Sequence, residues 1–440
     1  MTACHCHCRR HLLHHRHASP PPSSPLQLFF VPIYLSSLFM WPIVHFADEP
    51  YLGRKQRLNR RRSHQGSLLM LEALHYIREA FPFWNASAGR DHVWMMLHDE
   101  GPCFCPLAIR QSILLTHYGY YSETPKPWGT FYDDNFFADK GFYRKFLGDP
   151  DRPTRCFKRG RDLVLPPWKM PTFWRKMLAE PSLRLPGGAK GAGTVAKGGG
   201  GSGDKPRSGL VFFAGDLGFK RLKGYSHDLR QKAHGLYCDP HKVKVKNCTD
   251  FVYGCRPEIP QLCELWEPGV SIMLHAGGKY HAYLLDHTFC LAFPGDGWSS
   301  RVLDAVVHGC IPVIVQDESE MFFEGAFAAA GLGFDYADFS VRIAEDGLRS
   351  LVSTLKAIPQ SRVAEMRARV LLVRDYFVYK DMYSPDADER RELLKAGRPN
   401  QDAFLLLAMA LEARARDLGR LPANPAAWRP RNRRLLGLRK

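Results

Sequence analysis

Residues 288–317 read TFCLAFPGDGWSSRVLDAVVHGCIPVIVQD. Their pattern predicts a strand, a small-residue turn, a helix, a tight corner and a second strand. Thr288 to Phe293 is a short apolar run, broken by Pro294, Gly295, Asp296 and Gly297. Trp298, Ser299 and Ser300 open a helix of about three turns with Arg301 and Asp304 near its start. His308 and Gly309 end it, the glycine supplying a left-handed cap. Cys310 to Val315 is a continuous apolar strand of the kind buried in a parallel sheet. The unit is therefore βαβ, and in open α/β sheets ligands sit beyond the carboxyl ends of such strands. Free N–H groups at a helix start favour phosphate, and Ser300 and Arg301 add donors and charge there. Asp304, one turn on, is placed to accept hydrogen bonds from a sugar hydroxyl. The unit is read as a pocket for a sugar nucleotide.

Working outward, Gly209 to Ala214 (GLVFFA) predicts another strand, ending at Gly215, with a helix over Tyr225 to Gly235. Lys279 to Asp286 leads into the opening unit. A short strand at Phe339 to Ile343 and helices at 346–357, 361–379 and 401–416 follow it. On the N-terminal side, strands are expected at Leu28 to Tyr34, His92 to Leu97, Ser112 to His117 and Asp162 to Leu165. An amphipathic helix is expected over Gly66 to Ala80. Between the two sets, residues 187–203 contain nine glycines and read as a flexible insert. Its G-x-G-x-x-A match, Gly191 to Ala196, lacks a preceding strand and is not a dinucleotide fingerprint. The expected organisation is a tail at 1–25, an acceptor-side Rossmann-like domain at 26–186, an insert at 187–208 and a nucleotide-sugar domain at 209–400. A helix at 401–416 packs back on the first domain, and 417–440 is a basic tail. The fold class is α/β, GT-B-like, with two Rossmann-type domains facing a cleft and an N-terminal domain that is incomplete.

The chain has 440 residues, 45% of them apolar and 12% aromatic, which excludes a disordered protein. Its formal net charge of +17 raises the question of nucleic acid. Residues 1–62 and 411–440 each carry nine Lys/Arg against two Asp/Glu, so the excess sits at the two ends and no nucleic-acid partner is expected. The apolar run Leu26 to Ala47 has membrane-helix length, but Pro32 and Pro42 would break it, so a strand, a loop and a short apolar helix are expected instead. Residues 1–25 do not form a secretory signal. Cys4, Cys6 and Cys8 alternate with His5 and His7, a spacing that zinc sites do not use. Cys238, Cys248, Cys255 and Cys263 suggest a disulfide-stapled loop, whereas Cys290 and Cys310 read as small core residues. Asn85 and Asn247 head glycosylation sequons.

Several ordered motifs resemble the exostosin family of glycosyltransferases, family 47, in its plant and algal branch. FFVPIYLSSLFMWP (29–42), GRDHVWMMLHDEGPC (89–103), DLVLPPW (162–168) and LVFFAG (210–215) followed by Tyr225 and Arg230 carry it. So do the opening segment, FDYADFSVRI (334–343), the MRARV helix and QDAF (401–404). The resemblance implies a GT-B transferase that inverts at the anomeric carbon, uses a UDP-sugar, needs no metal or other cofactor, and works in the Golgi as a type II membrane protein. Its acceptor would be a glycan or glycoprotein, and pairing with a related transferase is a possible assembly. The family's first strand-helix unit and its anchor helix are missing or replaced by residues 1–25, so a catalytically inactive scaffold partner is the competing reading.

Inverting transfer needs a base for the acceptor hydroxyl and positive charge for the leaving diphosphate. With the donor in the second domain, the base is sought across the cleft. Asp99 is the candidate, with His98 as its alternative or orienting partner, Glu100 as a substitute, and a simple loop cap as the competing role. Arg301 is the candidate diphosphate ligand, because a guanidinium matches two phosphate oxygens. Asp304 is assigned to the ribose hydroxyls. Arg230 is a second phosphate ligand or an exposed helix arginine, and Ser299 and Ser300 are donors or helix caps. Asp296 and Trp298 shape the turn or stack near the sugar, and Gly215 permits close approach of the donor or only ends a strand.

Overall fold

The computed structural model describes residues 28–32, 69–97, 102, 105–122, 157–170, 173–175, 177, 180, 183, 207–219, 225–242, 259, 262–295, 297–380, 388, 391 and 401–419. The tail, the glycine-rich insert, Cys4, Cys6, Cys8, Cys248 and Cys255 lie outside them, as do His98, Asp99, Glu100 and Asp296.

Four short strands form a first parallel sheet in the order β1 (Phe29–Val31), β2 (His92–Met96), β3 (Ile113–Thr116), β5 (Leu163–Val164). The pleat turns alternate residues to opposite faces. Val93, Ile113 and Leu115 thus join the main core, while Trp94, Met96 and Leu114 join a second cluster with Met70, Leu74 and Trp84. That second cluster is covered by α1 (69–80) and α2 (Phe83–Ser87). Asp162 ties the sheet together at its lower edge: its fully buried carboxylate accepts from the N–H of Leu114 at 3.1 Å and of Lys158 at 2.8 Å, and from Arg161.

The second sheet is also parallel. Its order is β11 (Val341–Arg342), β9 (Ile311–Ile314), β8 (His287–Ala292), β6 (Gly209–Ala214), β7 (Val270–Met273). The crossovers carry α3 (Leu229–Tyr237), α4 (Tyr280–Asp286) and α5 (Arg301–Val307). Renumbered within the sheet this is 2-1-3-4-5, a doubly wound order whose direction reverses between β6 and β8. Val211 and Phe213 face the main core, and Phe212 and Ala214 face the cluster under α4.

The opening unit is thus βαβ as read, with Gly309 at φ 62° closing the helix. Two details change. The helix has two turns rather than three, because Trp298 to Ser300 remain outside it. Cys290 and Cys310 are not free core thiols but a disulfide with Cα atoms 5.9 Å apart, which ties β8 to the residue ahead of β9. The expected staple does form between Cys238 and Cys263. The strand expected at 339–343 shrinks to Val341–Arg342, since a 3₁₀ turn over Tyr336–Asp338, capped by Asp335, occupies its approach.

The two sheets are joined by a small antiparallel pair, β4 (Gly119–Tyr120) with β10 (Ser319–Glu320), and by Phe323 N–H donating to the Val164 carbonyl at 2.7 Å. Gly119 is required here: a Cβ on it would run into the Glu320 carbonyl. Of the remaining helices, α6 (Glu324–Ala329), α7 (Leu351–Lys356) and α8 (Gln360–Val373) pack on the second half, while α9 (Ala403–Asp417) lies against α6 and brings its last turn beside Arg90, Arg110 and Arg161 of the first half. Asp402 caps α9 through the Leu405 N–H at 2.8 Å. Among the described residues no helix is long and apolar enough to cross a membrane.

Candidate active site

The carboxyl ends of β6 and β8 diverge at the reversal point, where a doubly wound sheet opens a crevice. Gly215 follows β6 there, and Arg301, at the start of α5, lies across it. A Cβ on Gly215 would stand 2.8 Å from Arg301 Nη2, so the guanidinium occupies space that only glycine leaves. Arg301 is fixed from below: Nη1 donates to Asp304 Oδ2 at 2.9 Å, and the Tyr280 ring lies 5.3 Å from its guanidinium carbon. Tyr280 donates its phenol proton to the same Asp304 oxygen at 2.7 Å. Burial, and then the neighbouring Asp304 charge, hold the Tyr280 pKa far above its ordinary value, so the phenol stays a donor.

Arg230 lies beside this pair. Nη1 donates to the Tyr225 hydroxyl at 2.7 Å and to the Asp216 carbonyl at 2.9 Å, and Nη2 reaches the Phe293 carbonyl at 3.5 Å. Both guanidiniums flank the Phe213 ring, at 5.4 Å for Arg230 and 6.0 Å for Arg301. Arg230 is buried rather than an exposed helix arginine. The turn that brings it in is strained: Ser226, His227 and Asp228 all take left-handed backbone angles, with φ of 57°, 51° and 59°. Ser226 N–H donates to the Gly295 carbonyl at 3.2 Å, which locks this turn onto the loop after β8. Among the described residues its buried hydroxyl has no partner.

The first sheet meets this crevice with its own carboxyl edge. His117, directly after β3, lies 4.8 Å ring to ring from Trp298. Lys169, beyond β5, stands 3.2 Å from Asp304 Oδ1. Burial drives the His117 pKa down to about 4, opposed by its bond to the Leu165 carbonyl at 2.8 Å. His117 is therefore neutral near pH 7, with Nδ1–H as the donor.

The structure thus brings together Arg301, Arg230, Gly215, Asp304, Ser299 and Ser300. It gives Asp304 another duty than the ribose contact, and gives Ser299 the capping role that was one of its two readings. Asp304 is fully buried and its oxygens face Tyr280, Arg301 and Lys169, so it braces the guanidinium and is not open to ribose hydroxyls. Ser299 Oγ accepts from the Arg301 N–H at 3.3 Å, while Ser300, ahead of the helix, makes no side-chain cap. Lys169, Tyr280 and His117 were missed as site residues. No local motif marks them, because each reaches the site through long-range packing. Chemically, two fixed guanidiniums at a reversal point suit a diphosphate, with charge-assisted, paired donors. Among the described residues no group of three His, Cys, Asp or Glu side chains is placed to hold a metal.

Comparison with known proteins gives a consistent result. The Exostosin GT47 domain model matches residues 28–358. A probable glucuronosyltransferase, Os03g0107900 of Oryza sativa subsp. japonica, is 24% identical over 74% of this chain and 57% of its own length. The probable β-1,4-xylosyltransferase IRX10 of Arabidopsis thaliana is 22% identical over 66% of this chain and 53% of its own. The chain spans about half the length of the curated relatives it matches. Among solved structures, CalG4, the calicheamicin glycosyltransferase, is 14% identical over 82% of this chain and 83% of its own, with a TM-score of 0.26. At that score the overlay carries no weight, and the α/β assignment rests on the two parallel sheets.

Proposed function

Because the chain belongs to the exostosin GT47 family, we propose that it is an inverting glycosyltransferase moving a sugar from a UDP-sugar to a glycan or glycoprotein acceptor. The observation that carries this reading is the pair of braced guanidiniums, Arg301 and Arg230, at the reversal point beside Gly215. In the proposed step an acceptor hydroxyl attacks the anomeric carbon as the bond to the diphosphate breaks. The leaving oxygen takes the bonding pair, and Arg301 and Arg230 stabilise its charge. The proton goes to a base on the first sheet's carboxyl edge. Asp99, with His98 beside it in the sequence, lies outside the described residues and remains our candidate. No metal or other cofactor is required in this scheme. By the family resemblance the protein works in the Golgi, anchored as a type II membrane protein.

The test is calorimetric titration with UDP, followed by hydrolysis of a UDP-sugar panel that includes glucuronate and xylose, the sugars in the relatives' names. Arg301→Ala should weaken UDP binding by at least tenfold, the worth of one charge-assisted contact. No UDP binding by the wild type, or none lost with Arg301→Ala, would sink the proposal. UDP binding without turnover on any donor would instead favour the inactive scaffold partner.

A further inference from the structure

The first sheet has a second recess, at the amino ends of its strands. It is a cavity of about 640 Å³ lined by Arg90, Arg110, Lys158, Arg161, Arg414 and Asp417, among others. Arg90 lies in the turn before β2, Lys158 and Arg161 in the turn before β5, and Arg414 in the last turn of α9. Four-residue β3, about 13 Å at 3.3 Å per residue, separates this edge from the His117 edge. The recess is therefore distinct from the crevice around Arg301.

Its charge is one-sided. Arg161 is balanced by Asp162, with Nε 2.7 Å from Oδ1 and Nη2 2.8 Å from Oδ2, and it also donates to the Arg110 carbonyl, so it builds the floor. Arg414 is mostly buried, with Asp417 3.6 Å away, and among the described residues its Nε has no acceptor. Arg90 and Lys158 stand exposed on the rim, and among the described residues neither side chain has an ion-pair partner. Arg90 and Lys158 are thus the cations this recess leaves open to a ligand.

We propose that this recess is an exosite for a carboxylate-bearing glycan, a stretch of hexuronic acid chain that the protein holds while its end is extended elsewhere. The inference rests on the transferase reading above for its biological sense, though not for its binding chemistry. Guanidiniums match carboxylates through paired donors. The volume falls in the range of sites for ligands of a few rings. A membrane surface would need a flat basic face rather than a recess. Single-stranded nucleic acid would need aromatic rings for its bases, and among the described residues none lines this cavity.

The experiment titrates the full chain with a short oligogalacturonide, with its carboxyl-reduced counterpart, with a single-stranded DNA oligomer and with phosphatidylserine vesicles. The uronide should bind, should weaken with added salt, and should bind at least tenfold more tightly than the reduced form. Arg90→Gln/Lys158→Gln should weaken it about tenfold, at under 1 kcal/mol for each exposed charge, and Arg90→Glu/Lys158→Glu should abolish it. Both positions are exposed, and UDP affinity and thermal midpoint should be unchanged in both variants. Equal binding of the reduced oligomer, undiminished uronide binding by the charge-reversed variant, or preferential binding of DNA or vesicles through the same residues overturns the exosite. Failure of the wild type to bind UDP overturns the transferase reading instead, and leaves the uronide result to decide the recess by itself.

Discussion

Gly215→Ala isolates the geometry on which the proposed function rests. The added Cβ would stand 2.8 Å from Arg301 Nη2 and 3.3 Å from Phe213 Cζ. Ordinary contact begins near 3.4 Å, so the guanidinium must withdraw by roughly 0.6 Å. It cannot withdraw freely, because Asp304 holds it at 2.9 Å and the Tyr280 ring lies against it. The clash is with the flexible end of a side chain, so we expect a stability loss below about 1 kcal/mol. The phosphate contact should suffer more, since an aligned, charge-assisted hydrogen bond is worth about 1.5–3 kcal/mol. We therefore expect UDP affinity to fall about tenfold to a hundredfold. Titration calorimetry on wild type, Gly215→Ala, Arg301→Ala and the double variant closes a cycle. If the methyl acts through Arg301, its effect should nearly vanish once Arg301 is gone. Wild-type affinity in Gly215→Ala, or an equal loss in both backgrounds, would refute the reasoning.

Two further outcomes follow from the bracing network. Asp304→Asn leaves Arg301 and Lys169 facing a neutral amide in place of a fully buried carboxylate. A loss of about 2–3 kcal/mol is expected in chemical denaturation, below the value for a fully buried pair because both cations are partly exposed. His308 is wholly buried, and burial lowers its pKa to about 4, against the opposing bond of Nδ1–H to the Asp304 carbonyl at 2.7 Å. The unfolded chain takes up this proton near pH 6.5 and the folded one does not, so stability is full above pH 6.5 and falls as pH drops towards 4, by about 3 kcal/mol in all. In His308→Asn the fall across that window should shrink by about 1.4 kcal/mol per pH unit. An unchanged pH slope in denaturant titrations would contradict this.

Much of the fold was legible because short apolar runs bounded by glycine and proline mark buried parallel strands. His92 to Met96, Ile113 to Thr116 and Gly209 to Ala214 fall within or match the predicted strands. β7 was not read, although Pro268-Gly269 mark its start: VSIM at 270–273 is only four residues, half-buried in alternation, too short to show a period. β4 and β10 were not read either: a two-residue strand has no periodicity, and this pair exists only because the two halves meet. The Cys290–Cys310 bond was missed for a related reason. Both cysteines sit in apolar strand sequence, and their proximity is fixed by strand adjacency rather than by spacing. Arg301, Arg230 and Gly215 could be singled out because they adjoin the predicted strand ends, and the structure places them side by side there.

Asp304 is the informative miss. From sequence, an acidic residue one turn into a helix beside a phosphate site suggests a sugar hydroxyl partner. In the folded chain that carboxylate is instead shared by three side chains from three segments: Arg301 of α5, Tyr280 of α4 and Lys169 beyond β5 of the other sheet. The contact with Lys169 crosses between the sheets, as do those of His117 with Trp298 and of β4 with β10. The position of Arg301 over Gly215 therefore depends on how the two halves sit together. A movement that drew Lys169 away would leave Asp304 with Arg301 and Tyr280 alone, and would strengthen its hold on the guanidinium at the expense of phosphate.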